Sequence, residues 1–136
     1  MLTPIPPSRV LDEWGAINAD LKRAMERDPG RDWLDILGQA IAGDLRFWRV
    51  TGATAGYLAT QVTGQHGRRV FWVIYAGGMG GTMADKRLAM AAIEQQARDA
   101  RCSELRFEGR DWRRVCRDYR ADKGPDGRWN FRKRLK

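Results

Sequence analysis

The stretch Arg69-Val70-Phe71-Trp72-Val73-Ile74-Tyr75-Ala76 runs without a break into Gly77-Gly78-Met79-Gly80-Gly81-Thr82. No other feature of the chain narrows its fold as much. A run of β-branched and aromatic residues without polar alternation suits a central strand covered on both faces. The glycines end it. After them Leu88, Ala92, Ile93, Ala97 and Ala100 recur at helical spacing within Ala84–Arg101, which predicts a helix with those residues buried. Leu105 and Phe107 then alternate within Ser103–Glu108, as in a short strand. Strand, loop, helix and strand make a crossover unit, so the two strands should run parallel in one sheet.

The chain before this unit falls into two parts. Pro6-Pro7-Ser8 closes an extended lead-in, and Ser8 is placed to cap a helix. Val10, Trp14, Ile17, Leu21 and Ala24/Met25 form one face of that helix, Asp12 and Glu13 favour its first turn, and Asp28-Pro29-Gly30 stops it. A second helix begins near Asp32 with Leu34, Leu37, Ala40 and Ile41 on one face, and Gly43 is its C-cap. Two strands follow, Leu45–Thr51 and Tyr57–Thr63, separated from each other and from the apolar run by Gly52–Gly56 and Gly64–Gly67. Such short glycine turns imply an antiparallel meander. Beyond the crossover unit, Asp111–Tyr119 reads as a helix with Trp112, Val115 and Cys116 inward. Gly124-Pro125-Asp126-Gly127 is a turn. Trp129, Phe131 and Leu135 then alternate with Arg128, Asn130, Arg132, Arg134 and Lys136 in a terminal strand with one apolar and one basic face.

These elements fit one α/β (α+β) domain over residues 1–136, with a mixed central sheet, an antiparallel N-terminal meander, a βαβ crossover and helices on both faces. The 43% of hydrophobic residues is enough for a core, and no apolar run approaches the about 20 residues that a membrane-spanning helix needs. The N-terminus has no signal-peptide pattern. Cys102 and Cys116 are expected to be reduced thiols in a cytoplasm, and one histidine with two distant cysteines makes no zinc site. The net charge of +8 is uneven: residues 101–136 hold 13 Lys/Arg against 6 Asp/Glu. That asymmetry implies either an anionic partner or a solvated basic surface.

The order of elements resembles the GNAT superfamily, the GCN5-related N-acetyltransferases, along nearly the whole chain. Three segments are also similar to small GNAT-like proteins of tailed bacteriophages and prophages. These are Pro7, Val10 and Trp14; Leu45-x-Phe47-Trp48-x-Val50; and Cys102-Ser103-Glu104-Leu105-Arg106-Phe107-Glu108-Gly109-Arg110-Asp111-Trp112. The superfamily resemblance implies acetyl-CoA as acyl donor and an amine of unidentified structure as acceptor. In the fold it implies, the strand before the glycine loop splays from its neighbour, so the backbone of Ile74, Tyr75 and Ala76 would pair with the pantetheine arm. The loop Gly77, Gly78, Met79, Gly80, Gly81 and Thr82 would hold the pyrophosphate. The phage resemblance implies a protein of the infected bacterial cytoplasm or the virion.

The residues support part of that chemistry by themselves. Glycines between a strand end and a helix start leave bare N–H groups beside the positive end of the helix dipole, which suits an anion; the alternative is a plain chain reversal. The loop lacks the full Gln/Arg-x-x-Gly-x-Gly/Ala pattern of the superfamily and is not a P-loop. Lys86 would reach a cofactor phosphate or lie on a solvated helix face. Glu108 would act as general base or pair with Arg106 or Arg110. By the superfamily resemblance Tyr119 would protonate the CoA thiolate; its spacing alone reads as packing. Cys116 beside Arg113, Arg114 and Arg117 would be activated or, facing inward with Trp112, inert. His66 is assigned no role. A second function class uses Arg128, Arg132, Lys133, Arg134 and Lys136 to bind DNA or a virion protein.

Overall fold

The apolar run lies at the centre of a seven-stranded sheet of order β1-β2-β3-β4-β5-β7-β6. In chain order the elements are β1 (Leu2–Ile5), α1 (Val10–Glu26), α2 (Trp33–Ala42), β2 (Arg46–Val50), β3 (Gly56–Thr63), β4 (Val70–Gly77), α3 (Met83–Asp99), β5 (Glu104–Gly109), β6 (Arg120–Lys123) and β7 (Trp129–Arg134). The computed structural model describes residues 2–27, 30, 32–52, 54–64, 68–78 and 80–135. Asp28, Pro29, Ala53, Gln65, His66, Gly67, Met79 and Lys136, which the sequence reading gave to turns, the glycine loop and the last strand, lie outside the described residues.

Neighbouring strands are antiparallel except for β4 and β5, which run parallel as a crossover through α3 requires. One core lies beneath α1 and α2 and contains Ile17, Leu21, Ile36, Phe47, Ala59 and Tyr75. The other lies beneath α3 and contains Trp48, Phe71, Val73, Ile93, Leu105 and Phe131. Because β4 feeds both cores, it shows no polar alternation. Trp48 buries its indole with the Nε1–H donating to Thr60 Oγ1 at 2.7 Å, so the polar tip is satisfied inside the sheet.

Several local expectations give way to tertiary structure. Ser8 does not cap α1; Pro7–Arg9 forms a 3₁₀ turn, and Arg9 is the N-cap without a side-chain bond. The lead-in is itself a strand, β1, at the sheet edge where Pro4 costs no ladder bond with an outer neighbour. On α2 the buried face is Ile36 and Ala40 with Trp33 and Leu37 beside them, while Leu34 is 73% exposed and Ile41 is also exposed. Asp32 caps α2 through Leu34 N, and Gly43 closes it at φ +86°. On α3 the buried residues are Met90, Ile93 and Ala97, and Leu88 is 71% exposed.

The segment 111–119 is not a helix. Asp111 accepts the Arg113 N–H at 3.2 Å, and such a bond offers the backbone an alternative to helical pairing. The chain makes two short turns, with Val115 N and Cys116 N donating to Trp112 O and Tyr119 N donating to Cys116 O. The inward residues are nonetheless those the sequence indicated: Cys116 is buried, and Trp112 and Val115 pack on the α3 core. The terminal strand also needs one correction. Lys133 shares the apolar face with Phe131: its Nζ donates to Glu94 Oε1 on α3 at 2.8 Å and also to Asp118. No helix among the described residues is long and apolar enough to cross a membrane.

Candidate functional site

The site begins with a fault in the ladder of β4. Val73 pairs with Thr60 of β3, and Tyr75 pairs with Ala59, so Ile74 is an extra residue in a β-bulge. A bulge reverses the side-chain alternation beyond it. Val73 therefore points into the α3 core, whereas Tyr75, two residues on, is buried in the α1/α2 core. The pairing of β4 with β5 stops at the same place. It covers Val70–Val73 against Glu104–Phe107, while β5 continues along β7 through Glu108↔Asn130 and Gly109↔Trp129. Beyond Val73 the two parallel strands separate. Ile74, Tyr75 and Ala76 thus lie past the last β4–β5 pair, beside the gap at the carboxyl ends of the two strands, the position where α/β sheets hold ligands.

The glycine loop closes the end of this gap, and its glycines answer different demands. A Cβ on Gly77 would overlap the Asp20 carbonyl of α1, and one on Gly78 would overlap the Ala55 carbonyl beside Gly56. These two glycines let α1 and β3 approach the end of β4. Gly80 has nothing within 4 Å of a built Cβ. No described neighbour demands a glycine there, and the direction a side chain would take is open. Thr82 then starts α3 with a capping box: its Oγ1 accepts the Asp85 N–H at 3.2 Å, and its own N–H donates to Asp85 Oδ2 at 2.8 Å. The Thr82 amide and hydroxyl hold the Asp85 carboxyl below its ordinary range. A negative charge therefore sits inside the helix mouth and takes up part of its anion-attracting potential. The pattern Thr-x-x-Asp was present in the sequence and is the signal that finds this residue.

Lys86 does not reach toward the mouth; its Nζ lies 5.7 Å from the centre of the Trp112 ring. Glu108 is exposed, one residue past the last β4–β5 pair, and Arg106 is taken by Glu104 at 2.8 Å. Because Leu105 and Phe107 face α3, alternation puts Glu108 on the α1/α2 side of the sheet. Tyr119 is on the other side, buried beneath α3, with its Oη donating to Glu94 Oε1 at 2.8 Å. Burial, followed by that carboxylate, pushes the Tyr119 phenol well above its usual range. The structure thus separates Glu108 and Tyr119 by the thickness of the sheet. Burial pushes Cys116 up to about 12, with Asp118 and Glu94 adding to it, so the arginines beside it in sequence do not make a thiolate.

The C-terminal basic residues do not form one surface. Arg132 and Arg134 project from the sheet face opposite α3, Arg128 precedes β7 half-buried, and Lys133 is on the α3 side.

A mixed sheet with its single parallel pair splayed behind a β4 bulge, and a glycine loop leading into α3, is the fold of GNAT acetyltransferases. Solved structures bear this out. The chain resembles aminoglycoside 6'-acetyltransferase type Ii with a TM-score of 0.67 at 6% identity, over 98% of this chain and 96% of that one. It resembles a GNAT family acetyltransferase from Listeria monocytogenes 4b F2365 with a TM-score of 0.57 at 11% identity, over 99% and 94% of the two chains. The PaiA N-acetyltransferase of Thermoplasma acidophilum, solved in complex with coenzyme A, gives a TM-score of 0.57 at 9% identity over 99% and 98%. No family model and no curated protein sequence matches the chain. At these identities the likeness is one of fold.

Proposed function

We propose that this protein is an acyl-CoA-dependent N-acyltransferase. The observation that carries the reading is the gap between β4 and β5 beyond Val73, with Gly80, beside which a side chain would meet open space, in the loop that follows β4. Ile74–Ala76, which lie beyond the last β4–β5 pair, fit an extended chain that carries its own amides, as pantetheine does, because such a chain can lie along a strand as an added strand would. Gly80 and Gly81 fit the diphosphate, since only bare backbone admits so bulky an anion closely. The donor brings an activated thioester. The chain's part is to hold that group beside an amine and to polarise its carbonyl with strand N–H groups.

Glu108 stands at the opening of the gap on the α1/α2 side with no ion-pair partner among the described residues. In this reading it takes the proton from the attacking amine, directly or through water. Tyr119, whose hydroxyl is committed to Glu94, serves packing.

Calorimetry with acetyl-CoA tests the reading, since the fold alone does not require donor binding. Asp85→Asn sharpens it. The amide removes the charge in the mouth and keeps an oxygen for the Thr82 N–H, so acetyl-CoA affinity is expected to rise about three- to tenfold, the scale of one partly screened charge near a helix end. Unchanged or weaker affinity in a folded variant contradicts a diphosphate at this mouth.

A further inference from the structure

The segment that should have been a helix after β5 forms a cationic rim instead. Residues 110–117 carry Arg110, Arg113, Arg114 and Arg117, and the first turns of α3 add Lys86 and Arg87. The rim is built, not merely charged. Asp111 holds the Arg113 guanidinium through two bonds of 2.8 Å, and Arg113 lies 4.1 Å over the Trp129 ring. Those bonds bring the Asp111 carboxyl down to about 2, so the pair persists at any physiological pH. Lys86 lies over Trp112, and Arg87 Nη2 donates to the Arg114 carbonyl at 3.3 Å, which ties the rim to α3. A cleft of about 590 Å³ opens among Asp111, Arg113, Arg114 and Arg117.

Arg114 and Arg117 are exposed and make no ion pair among the described residues. Asp111 is spent on Arg113, and Asp118 is spent on Lys133. Asp111 also attracts Arg114 more weakly, but with four arginines in residues 110–117 the rim keeps an excess of positive charge. Its location is specific. The loop leaves the carboxyl end of β5, and the glycine loop leaves the carboxyl end of the parallel neighbour β4, so both border one crevice. Within that crevice the helix mouth is already partly neutralised by Asp85. Attraction for a highly charged donor must then come from beside the mouth.

We infer that Arg114 and Arg117 form a phosphate subsite for the nucleotide end of the donor, and that it reads the ribose 3′-phosphate that distinguishes CoA from its dephosphorylated form. Guanidinium groups fit a terminal phosphate because they present paired N–H donors to its oxygens. Arg113, locked by Asp111 and Trp129, is a positioning residue for the loop. The inference rests on the acyl-CoA reading above.

Calorimetry on the full chain compares CoA, 3′-dephospho-CoA and a short DNA duplex. CoA is expected to bind at least tenfold more tightly than dephospho-CoA, with the ratio shrinking as salt rises. Arg114→Gln with Arg117→Gln should bring the ratio close to one while leaving dephospho-CoA affinity and the melting temperature unchanged; Lys at both positions should restore part of it. Equal binding of the two nucleotides by the native chain overturns the subsite and leaves the donor reading intact. No binding of either overturns both. DNA binding tighter than CoA that depends on the same two arginines also overturns the subsite, in favour of a nucleic-acid surface.

Discussion

Gly80→Asp is expected to weaken acetyl-CoA binding by about a hundredfold, or about 2.7 kcal/mol, and to leave the melting temperature where it was. Both halves follow from the same local geometry. A side chain at position 80 meets no atom within 4 Å, so the folded chain has room for a Cβ there. A carboxylate at that point faces the space assigned to the diphosphate, beside the carboxylate already contributed by Asp85. Two unit charges 4 Å apart interact by about 4 kcal/mol at an effective dielectric near 20, so a hundredfold loss is a moderate expectation. Calorimetry and thermal melting on the same preparation read the two halves separately. A variant that melts normally and binds acetyl-CoA as the native chain does would remove the glycine loop from the site.

Gly77→Ala should do the reverse. The added methyl group collides with backbone of α1, at the Asp20 carbonyl oxygen and carbon, and cannot be relieved by turning a side chain. The helix must lift from β4, and it carries Ile17 and Leu21, both fully buried in the core beneath it. Overpacking of that kind costs about 3 kcal/mol or more when backbone has to move. For a domain of this size the melting temperature should fall by roughly 10 °C or more. Urea unfolding measures it directly, and a loss under about 0.5 kcal/mol, the range of an indifferent surface change, would mean that α1 does not press on the loop as described. Two glycines three residues apart thus separate what the fold needs from what the ligand needs.

Much of the fold could be read from the residues because its strongest signals are local. The apolar run, the glycine break and the Leu105/Phe107 alternation suffice for a parallel pair joined through α3, and Gly43 marks the end of α2 by its conformation alone. What could not be read depends on partners distant in sequence. The bulge at Ile74 leaves no trace in a run where every residue is apolar, yet it sends Tyr75 to the opposite core. On α2 the expected face Leu34, Leu37, Ala40 and Ile41 keeps Ala40 and Leu37 against the core, but contact with α1 and the sheet rotates it to take Ile36 and Trp33 in place of Leu34 and Ile41. β6, Arg-Ala-Asp-Lys, has one apolar residue and exists because β7 offers it an edge. Lys133 lies on the apolar face because Glu94 and Asp118 meet it there; burial alone would lower its pKa, but those carboxylates outweigh it and raise it.

The candidate site divides along the same line. The glycine loop and the strand before it were visible as positions, since backbone exposure follows from glycine itself. The Asp85 cap is written in the sequence as Thr-x-x-Asp, a signal masked by the glycines beside it. The sidedness of Glu108 and Tyr119 needed the register of β5 against β7 and the docking of the 111–119 turn on α3. The arginine rim needed the failure of a helix, which a single carboxylate, Asp111, helps bring about by bonding the second residue after it.

A crystal structure of the protein grown with acetyl-CoA puts the whole account at risk in one step. The account requires the pantetheine arm to lie in the gap, bonded to the β4 edge between Ile74 and Ala76, with the diphosphate against the amides of Gly80 and Gly81. Continuous pairing of β5 with β4 up to Gly77, or a ligand seated elsewhere while the gap stays empty, would contradict it.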